Sequence, residues 1–412
     1  MKTLYDSMIR LLIFGMKIGA VFKYKLKKGL AGRRQSCKVV QNSFSKQDKV
    51  IWMHAASLGE YEQGLPVLEK LKQQLPQHKV LITFFSPSGY DHVITKQNIA
   101  DAVCYLPFDT DEWVMEFTAN FQTDIFFTVK YEYWYNLLRI LKSQGARIFV
   151  ISALFYETQV FFKFYGKWFV KRLKKDVDFF FHQTQQSSAL AKGIGLKQSV
   201  TAGDTRYDRV KDLRVRDNEV EFIPQFVDGQ KCIVFGSSWE SEERIAEMIV
   251  AKNSAVKLII APHDLARIPA LKEQFPSAVL YSSLQQGSVR DFQNVRVLII
   301  DCIGLLSKLY SYADIAVVGG GFHSKGLHNI LEAATFGVPV FFGNQYRKNP
   351  EADEIIARNG GKCFEDEFFA GPYLLGLLHD EKLMQTMGDN ARRFVDAQPN
   401  AAEIILRKIL AQ

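Results

Sequence analysis

Short apolar runs alternate with segments of helical spacing along most of the chain. The runs include 79–85, 146–155 and 256–262, and the segments between such runs repeat apolar residues every three or four positions. A short buried run predicts a strand, whereas three- and four-residue spacing predicts an amphipathic helix. Strands that alternate with helices are typical of a parallel sheet covered on both faces. The sequence therefore predicts an α/β protein.

The alternation is interrupted by a charged stretch at 211–226. A chain of 412 residues is long enough for two domains. We therefore predict Rossmann-like domains at 31–210 and 227–395, with 211–226 as the linker and a central cleft between the domains. The helical ending at 396–412 can pack back on the N-terminal domain.

A glycine run at 319–321 follows one of the predicted strands, and helical spacing then extends over about 328–336. Glycines let a backbone approach a ligand closely, and a helix start favours an anion such as phosphate. Asn329 and Glu332 share one face of that helix, where Glu332 can accept a sugar or ribose hydroxyl. An ordinary turn between strand and helix explains the same pattern, so both interpretations stay open.

Glu60 lies where a buried strand beginning at Val50 ends and a helix over 60–74 begins. Ligand sites in open α/β sheets form at the carboxyl ends of strands, which makes this carboxylate a candidate functional group. The alternative is a glutamate favoured at a helix start only by the helix dipole.

Other polar side chains follow neighbouring predicted strands. Ser86 and Ser88 lie at a loop-to-helix junction, and Lys130 and Glu132 lie where a strand passes into a helix. The segment 161–175 is interpreted as a helix with an apolar face and a basic edge. That edge suits a phosphorylated lipid, although plain core packing also explains the apolar face. The segment 200–210 is interpreted as strand-like.

The composition is that of an ordinary globular protein, with 47% hydrophobic and 23% charged residues. The formal net charge of +8 favours an anionic partner, which can be nucleic acid, a membrane surface or a phosphorylated substrate. The five cysteines are widely separated and include no CxxC pair. They are interpreted as free thiols of a reducing compartment, and a structural zinc site is not expected.

Residues 1–30 are interpreted as an interfacial membrane-anchor helix followed by a basic run. The apolar part is interrupted by charges and is too short to span a bilayer, and Lys and Arg follow it directly. An apolar stripe beside basic residues suits an anionic membrane surface. The alternative is a helix packed on the protein with a solvated basic tail.

Taken together, several segments resemble the Kdo transferase family. These GT-B glycosyltransferases move 3-deoxy-D-manno-octulosonate (Kdo) from CMP-Kdo to a lipid A precursor in lipopolysaccharide biosynthesis. The segments that carry the resemblance are 52–60 (WMHAASLGE), 83–89, 105–109, 132–136, 236–238, 261–263 and 326–332 (GLHNILE). The first and last of these, in this order and at this separation, are specific together.

The resemblance implies inverting transfer with Glu60 as the catalytic base, without a metal or other cofactor. The residues that it places at the donor CMP-Kdo are Ser237, Ser238, His263, Gly320, Gly321, His328, Asn329 and Glu332. Acceptor-binding candidates are Ser57, Ser86, Ser88, Lys130 and Glu132. Lys130, Arg206 and Arg267 are candidate cations for the two anionic groups of the donor, with surface ion pairs as the alternative.

The implied partners are a lipid A precursor and an anionic membrane surface, and the implied location is the cytoplasmic face of the bacterial inner membrane. No nucleic acid is expected, since no nucleic-acid module is visible. The chain departs from the family pattern at Lys130, at 151–155 and at Leu327. Two alternatives stay open, namely another GT-B nucleotide-sugar transferase acting on a lipid and a non-catalytic lipid- or nucleotide-binding protein.

Overall fold

The computed structural model describes residues 2–287, 292 and 294–411. It divides into a first unit, residues 1–209 with 399–412, and a second unit, residues 210–398. Within the described residues, each unit contains one seven-stranded sheet. All the strand pairs of both sheets are parallel.

The strands of the first sheet are β1 (Lys49–Ala55), β2 (Lys79–Phe84), β3 (Ala102–Tyr105), β4 (Gln122–Val129), β5 (Arg147–Ala153), β6 (Phe179–His182) and β7 (Ser199–Thr201). Those of the second sheet are β8 (Cys232–Ser238), β9 (Lys257–Pro262), β10 (Val279–Leu280), β11 (Val297–Ile299), β12 (Ile315–Val318), β13 (Val340–Gly343) and β14 (Gly361–Phe364).

The helices up to the end of the first sheet are α1 (Lys2–Phe22), α2 (Tyr24–Ser43), α3 (Leu58–Gln74), α4 (Pro87–Ile94), α5 (Asp111–Thr118), α6 (Tyr135–Ser143), α7 (Lys167–Asp176), α8 (Gln185–Gly193) and α9 (Thr205–Val215). The remaining helices are α10 (Ile223–Val227), α11 (Glu240–Lys252), α12 (Ile268–Gln274), α13 (Tyr281–Gln285), α14 (Leu306–Leu309), α15 (Leu331–Ala334), α16 (Pro350–Ala357), α17 (Glu367–Leu378), α18 (Glu381–Asp396) and α19 (Ala401–Leu410).

Both sheets have the doubly wound strand order. The first runs β3-β2-β1-β4-β5-β6-β7 and the second runs β10-β11-β9-β8-β12-β13-β14. The chain changes direction across the sheet between β1 and β4, and again between β8 and β12. At such switch points a crevice opens beyond the carboxyl ends of the strands. The two sheets therefore place one candidate crevice in each unit, and the predicted α/β class is confirmed.

The first sheet is buried on both faces, as its apolar strands predict. Trp52 of β1 packs in one cluster with Phe117 and Phe126, while Met53 of the same strand points to the other face. That second face is covered by α3 and α19, whose Leu68 and Ile405 are fully buried. The last helix of the chain therefore belongs to the first unit.

The first half of the N-terminal helix α1 is tied to the body of the first unit by hydrogen bonds and a buried side chain. Tyr5 donates a hydrogen bond of 2.5 Å to Asp109, Asp6 accepts one of 2.9 Å from Asn136, and Ile9 is buried. The apolar residues further along are mostly exposed, namely Leu11, Leu12, Phe14, Ile18, Val21 and Phe22. Among the described residues, no helix combines the length and the apolar character that crossing a bilayer requires.

The basic run after α1 forms the start of a second helix, α2, and is not a wholly solvated tail. Arg33 is buried, with its guanidinium 4.4 Å from the ring centroid of Phe85 and 5.1 Å from that of Phe108. It also donates to the Phe85 carbonyl at 2.6 Å. One charge of the run therefore stabilises the fold through cation–π contacts and a hydrogen bond.

Two predicted elements are wrong in extent or type. The helix expected over 161–175 begins only at Lys167, because two short 3₁₀ turns precede it and Gly166 packs directly against the Val160 carbonyl. The strand-like segment 200–210 contains only the end of β7, and α9 begins at Thr205. Tyr207 and Val210 are buried there, which is the three-residue spacing of a helix.

We expect Tyr5→Phe to lower the free energy of unfolding of the first unit by about 1.5–3 kcal/mol, since the variant removes a hydrogen bond to a buried carboxylate. Burial already raises the pKa of Asp109 to about 6, so losing a donor leaves its charge less stabilised. Urea denaturation and proteolysis of α1 measure the effect. Ser7→Ala, on the exposed side of α1, is the control. Equal losses in both variants would show that the Tyr5 contact does not hold α1.

Candidate functional site

In the first unit, the ends of β1, β2 and β4 bring the predicted polar residues to one edge of the sheet. The Ser86 amide donates to the Ala56 carbonyl at 3.0 Å, which joins the loops that follow β2 and β1. Ser86 also caps α4, and its hydroxyl lies 3.1 Å from that of Ser88. Ser57 is at the N-cap of α3 without a side-chain capping bond. These serines lie around the start of α3, where Glu60 is found.

Glu60 is held in the first turn of α3 with only 8% of its surface exposed. One carboxylate oxygen, Oε2, accepts a hydrogen bond of 2.5 Å from the Ala56 amide. Burial raises the pKa of Glu60, against the lowering effect of that amide. The charge of Glu132 adds to the rise, and that of Lys130 opposes it. Glu60 is therefore a carboxylate that binds a proton more readily than a surface glutamate.

A chain of polar side chains runs beneath Glu132. The Trp52 indole donates to the Thr83 hydroxyl at 2.8 Å, and that oxygen lies 3.0 Å from Nδ1 of His54. The other ring nitrogen of His54, Nε2, is buried without a hydrogen bond and lies 3.9 Å from Glu132. Trp134 donates to the same Glu132 oxygen at 3.1 Å. Trp134 therefore orients Glu132, and the ring of His54 lies close to the same carboxylate oxygen.

Lys130 adopts a left-handed backbone conformation, with φ of 63°. The Lys130 amide donates to the Ile151 carbonyl at 2.9 Å. Ser152, which follows Ile151 in the sequence, also has a positive φ, of 49°. Such conformations cost about 1 kcal/mol or more for residues other than glycine. Two departures from the family pattern, at Lys130 and at 151–155, are thus neighbours in space.

In the second unit, four rings stack at the carboxyl ends of β8, β9 and β12. Trp239 lies between His263 and His323, with ring centroids 4.7 Å away on both sides and interplanar angles of 23° and 8°. His328 continues the row, 4.6 Å from His263. The Lys325 ammonium lies 4.4 Å from the Trp239 ring centroid. The stack joins three strand ends that are far apart in the sequence.

Two histidines of this stack, His263 and His328, have a lowered pKa. Burial, followed by the neighbouring His263, lowers the pKa of His328 to about 4. Burial and the charge of Lys325 also lower the pKa of His263. The Nε2 atom of His328 is buried without a hydrogen bond. His328 can therefore offer a neutral ring nitrogen to a ligand, but not a positive charge at neutral pH.

The helix predicted over 328–336 is wrong in extent, since α15 covers only Leu331–Ala334. The glycines before it allow backbones to approach each other. Gly320 has φ of 88°, and a side chain there would overlap the Gly326 carbonyl. A side chain on Gly321 would meet the backbone of Gly343. Close packing accounts for these two glycines, and the interpretation that a helix start at 328 binds phosphate loses its structural basis.

Glu242 holds the glycine loop that follows β12 through a hydrogen bond. The side chain is fully buried and accepts hydrogen bonds from the amides of Trp239 at 2.9 Å and Gly320 at 3.1 Å. Burial raises its pKa to about 7, even though both amides favour the ionised form. The end of β8 and the loop after β12 are therefore held together by one carboxyl group.

Several predicted donor residues have partners within the fold. Ser238 is buried, and its hydroxyl donates to Glu243 at 3.3 Å. Arg267 pairs with Glu243 and Glu240, and Arg206 pairs with Asp204 at 2.8 Å. Both arginines, which were candidate cations for the donor, are thus engaged in ion pairs with neighbouring carboxylates.

Ser237, Asn329 and Glu332 remain at positions that a ligand can reach. Ser237 and His263 line a cavity of about 390 Å³ at the ends of β8 and β9. Asn329 donates to Glu332 at 3.1 Å, so these two side chains are neighbours, as their spacing predicts. The cavity and this pair are the parts of the second crevice that are best suited to a polar ligand.

Sequence reasoning missed His54, Tyr131, Trp239, His323 and Lys325 as parts of these sites. His54 had a visible signal, because a histidine inside an apolar strand needs a polar partner. Trp239, His323 and Lys325 had none, since residues 239 and 323 meet His263 only when three strands pair.

The fold is that of known nucleotide-sugar enzymes. The structure is similar to UDP-GlcNAc 2-epimerase from Neisseria meningitidis, with a TM-score of 0.59, 16% identity, and coverage of 88% of this chain and 100% of that one. It is also similar to MurG from Acinetobacter baumannii, with a TM-score of 0.54, 14% identity, and coverage of 89% and 100%. Two doubly wound parallel sheets with these likenesses define a GT-B fold.

Sequence comparison identifies the proteins that the chain resembles. The profile described as "3-Deoxy-D-manno-octulosonic-acid transferase (kdotransferase)" matches residues 30–209. The 3-deoxy-D-manno-octulosonic acid transferase of Aquifex aeolicus (strain VF5) is 27% identical over 316 residues, which cover 75% of this chain and 80% of that protein. The enzyme of the same name from Chlamydia trachomatis serovar D is 25% identical over 377 residues, covering 88% and 86%. The chain is thus similar to Kdo transferases over most of its length, and this similarity supports a glycosyltransferase of that family.

The raised pKa of Glu242 predicts a pH dependence of stability. A carboxyl group whose pKa rises on folding contributes stability below its unfolded pKa, near 4.3, and that contribution is lost as pH increases through about 7. We therefore expect the melting temperature to fall less between pH 5 and 8 in Glu242→Gln than in the wild type. Differential scanning calorimetry measures both slopes.

The control for this measurement is Glu247→Gln, which changes an exposed glutamate on the same helix and should keep the wild-type slope. If Glu242→Gln also kept that slope, Glu242 would be ionising as freely in the folded state as in the unfolded one.

Proposed function

We propose that the protein transfers Kdo from CMP-Kdo to the sugar of a phosphorylated lipid acceptor, a lipid A precursor, in one inverting displacement. The observation that carries the proposal is Glu60, a buried carboxylate at the switch point of the first sheet. Similarity to Kdo transferases supports the identity of the transferred sugar.

Glu60 is proposed as the general base. A sugar hydroxyl is a weak nucleophile, so its attack on the anomeric carbon requires removal of its proton in the transition state. A carboxylate whose pKa is raised by burial accepts that proton more readily than a surface carboxylate does. The Ala56 amide fixes one oxygen of Glu60, which leaves the other available for the acceptor hydroxyl. CMP then leaves with the bonding electrons, and no covalent enzyme intermediate is required.

The second unit is proposed to hold CMP-Kdo. Ser237, His263 and the Asn329–Glu332 pair can supply hydrogen bonds to hydroxyl groups. Since His328 is neutral, it is proposed to act through the lone pair or proton of Nε2 and not as a cation. Lys325, beside the ring stack, is the better candidate for the phosphate or the carboxylate of the donor.

The acceptor is proposed to bind the first unit while the protein rests on the cytoplasmic face of the inner membrane. The exposed apolar residues in the second half of α1 favour contact with acyl chains, and the basic residues of α2 favour anionic head groups. Ser57, Ser86 and Ser88 surround the start of α3 and are candidates to orient the acceptor sugar.

The test of the reaction is incubation with CMP-Kdo, generated in place because it is labile, and a tetra-acylated lipid A precursor. We expect mass spectrometry to show a gain of one or more Kdo units. Absence of any gain, with folded protein and donor present, would contradict the proposal and direct the search to other nucleotide sugars.

Glu60→Gln should reduce transfer by at least about a hundredfold while leaving CMP affinity near that of the wild type. The substitution should also raise the melting temperature at neutral pH. Because burial raises the pKa of Glu60, ionisation at neutral pH destabilises the fold, and that penalty disappears at acidic pH. Transfer assays, CMP titration and thermal melts measure the three effects. Glu69→Gln, a change at a half-buried glutamate on the same helix, is the control.

Loss of transfer together with lost CMP binding or a lower melting temperature would indicate that Glu60 is a structural residue.

A further inference from the structure

One cavity of the first unit contains none of the proposed catalytic or donor-binding residues among the described residues that line it. It measures about 490 Å³ and lies between the first turns of α1, the segment 160–169 and the end of β4. Its walls include Leu4, Met8, Tyr131, Val160 and Trp168.

The lining is suited to an apolar ligand. None of the described residues that line the cavity carries a charge. Two of its tyrosine hydroxyls are engaged elsewhere, because Tyr5 donates to Asp109 at 2.5 Å and Tyr133 donates to the Lys130 carbonyl at 3.0 Å. A polar ligand would therefore find few partners inside, whereas a hydrocarbon chain would lose nothing by entering.

The cavity opens towards exposed apolar surface. Leu4 and Met8 line it and yet remain 57% and 61% exposed, and Val160 is 45% exposed. The hydrogen bonds of Tyr5 and Asp6 hold this part of α1 against the body of the unit, so the wall does not depend on a ligand. The exposed apolar residues of α1 continue from this opening.

Positive charge flanks the aromatic wall. Lys163, Lys167 and Lys171 are exposed and lie beside the lining residues in the sequence. Such a combination of an uncharged interior and basic surroundings matches a lipid whose head group is phosphorylated.

Tyr131 connects the cavity with the proposed base. It lines the cavity, and burial followed by the charges of Glu60 and Glu132 raises its pKa. Tyr131 also comes just after β4, which pairs with β1, and Glu60 lies in the first turn of the helix that follows β1. A chain in the cavity would extend towards the group that activates the acceptor hydroxyl.

We propose that this cavity holds one acyl chain of the lipid acceptor and thereby positions its sugar at Glu60. The inference rests on the proposed function for the identity of the lipid. Each buried methylene favours binding by about fourfold, so a filled cavity that displaces two or more methylenes should weaken binding by more than about tenfold.

The test compares an acylated acceptor with the same acceptor after deacylation. Met8→Trp fills the cavity from α1, and Val160→Trp fills it from the opposite wall. Ser7→Trp adds the same side chain next to Met8 on the exposed side of α1 and is the control. We expect each filling variant to raise the ratio of KM for the acylated acceptor to KM for the deacylated one by about tenfold, with no change in Ser7→Trp.

A binding measurement that needs no turnover accompanies the kinetics. A dodecyl chain carrying bromine should quench tryptophan fluorescence, and Trp168→Phe should remove most of that quenching because Trp168 lines the cavity. Quenching at Trp168 without any transfer would support the cavity as an acyl-chain site and overturn the proposed reaction. Transfer with unchanged KM ratios in both filling variants, or quenching that survives Trp168→Phe, would overturn the acyl-chain site.

Discussion

Burial of a parallel sheet on both faces is the constraint on which the rest of this molecule depends. Strands such as β1 and β8 have almost no exposed surface, so polar side chains can meet a ligand only where the strands end. The strand order brings those ends together at one edge of each sheet. The first edge collects carboxylates and hydroxyls, and the second collects aromatic rings.

Three buried carboxyl groups, two in the first unit and one in the second, show how the edges of the two sheets are stabilised. Glu60, Asp109 and Glu242 each accept hydrogen bonds from backbone amides, and burial raises the pKa of each despite those bonds. Removing a carboxylate from water destabilises its charged form, and amide donors offset only part of that loss. Asp109 and Glu242 each accept hydrogen bonds from two backbone amides and so join separate segments of the chain. Glu60 accepts one amide hydrogen bond, through Oε2, which leaves Oε1 for the proposed acceptor hydroxyl.

The alternation of strands and helices, and the position of Glu60 at a strand end, could be predicted from the sequence because both depend on local spacing. The length of α15 could not, because residues 328–336 keep helical spacing while the loop before them is fixed by contacts with Gly326 and Gly343. The ring stack around Trp239 was equally hidden, since each ring follows a different strand. Local pattern thus predicts elements, whereas contacts across strands decide how far each element extends.

The charge of Lys130 acts on the proposed base in the first unit. Lys130 follows β4, and its amide donates to the Ile151 carbonyl of β5. Its positive charge lowers the pKa of Glu60, against the rise that burial and Glu132 produce. An acidic residue at the same place would raise that pKa further. Lys130 therefore favours the ionised form of the proposed base at the strand ends that position it.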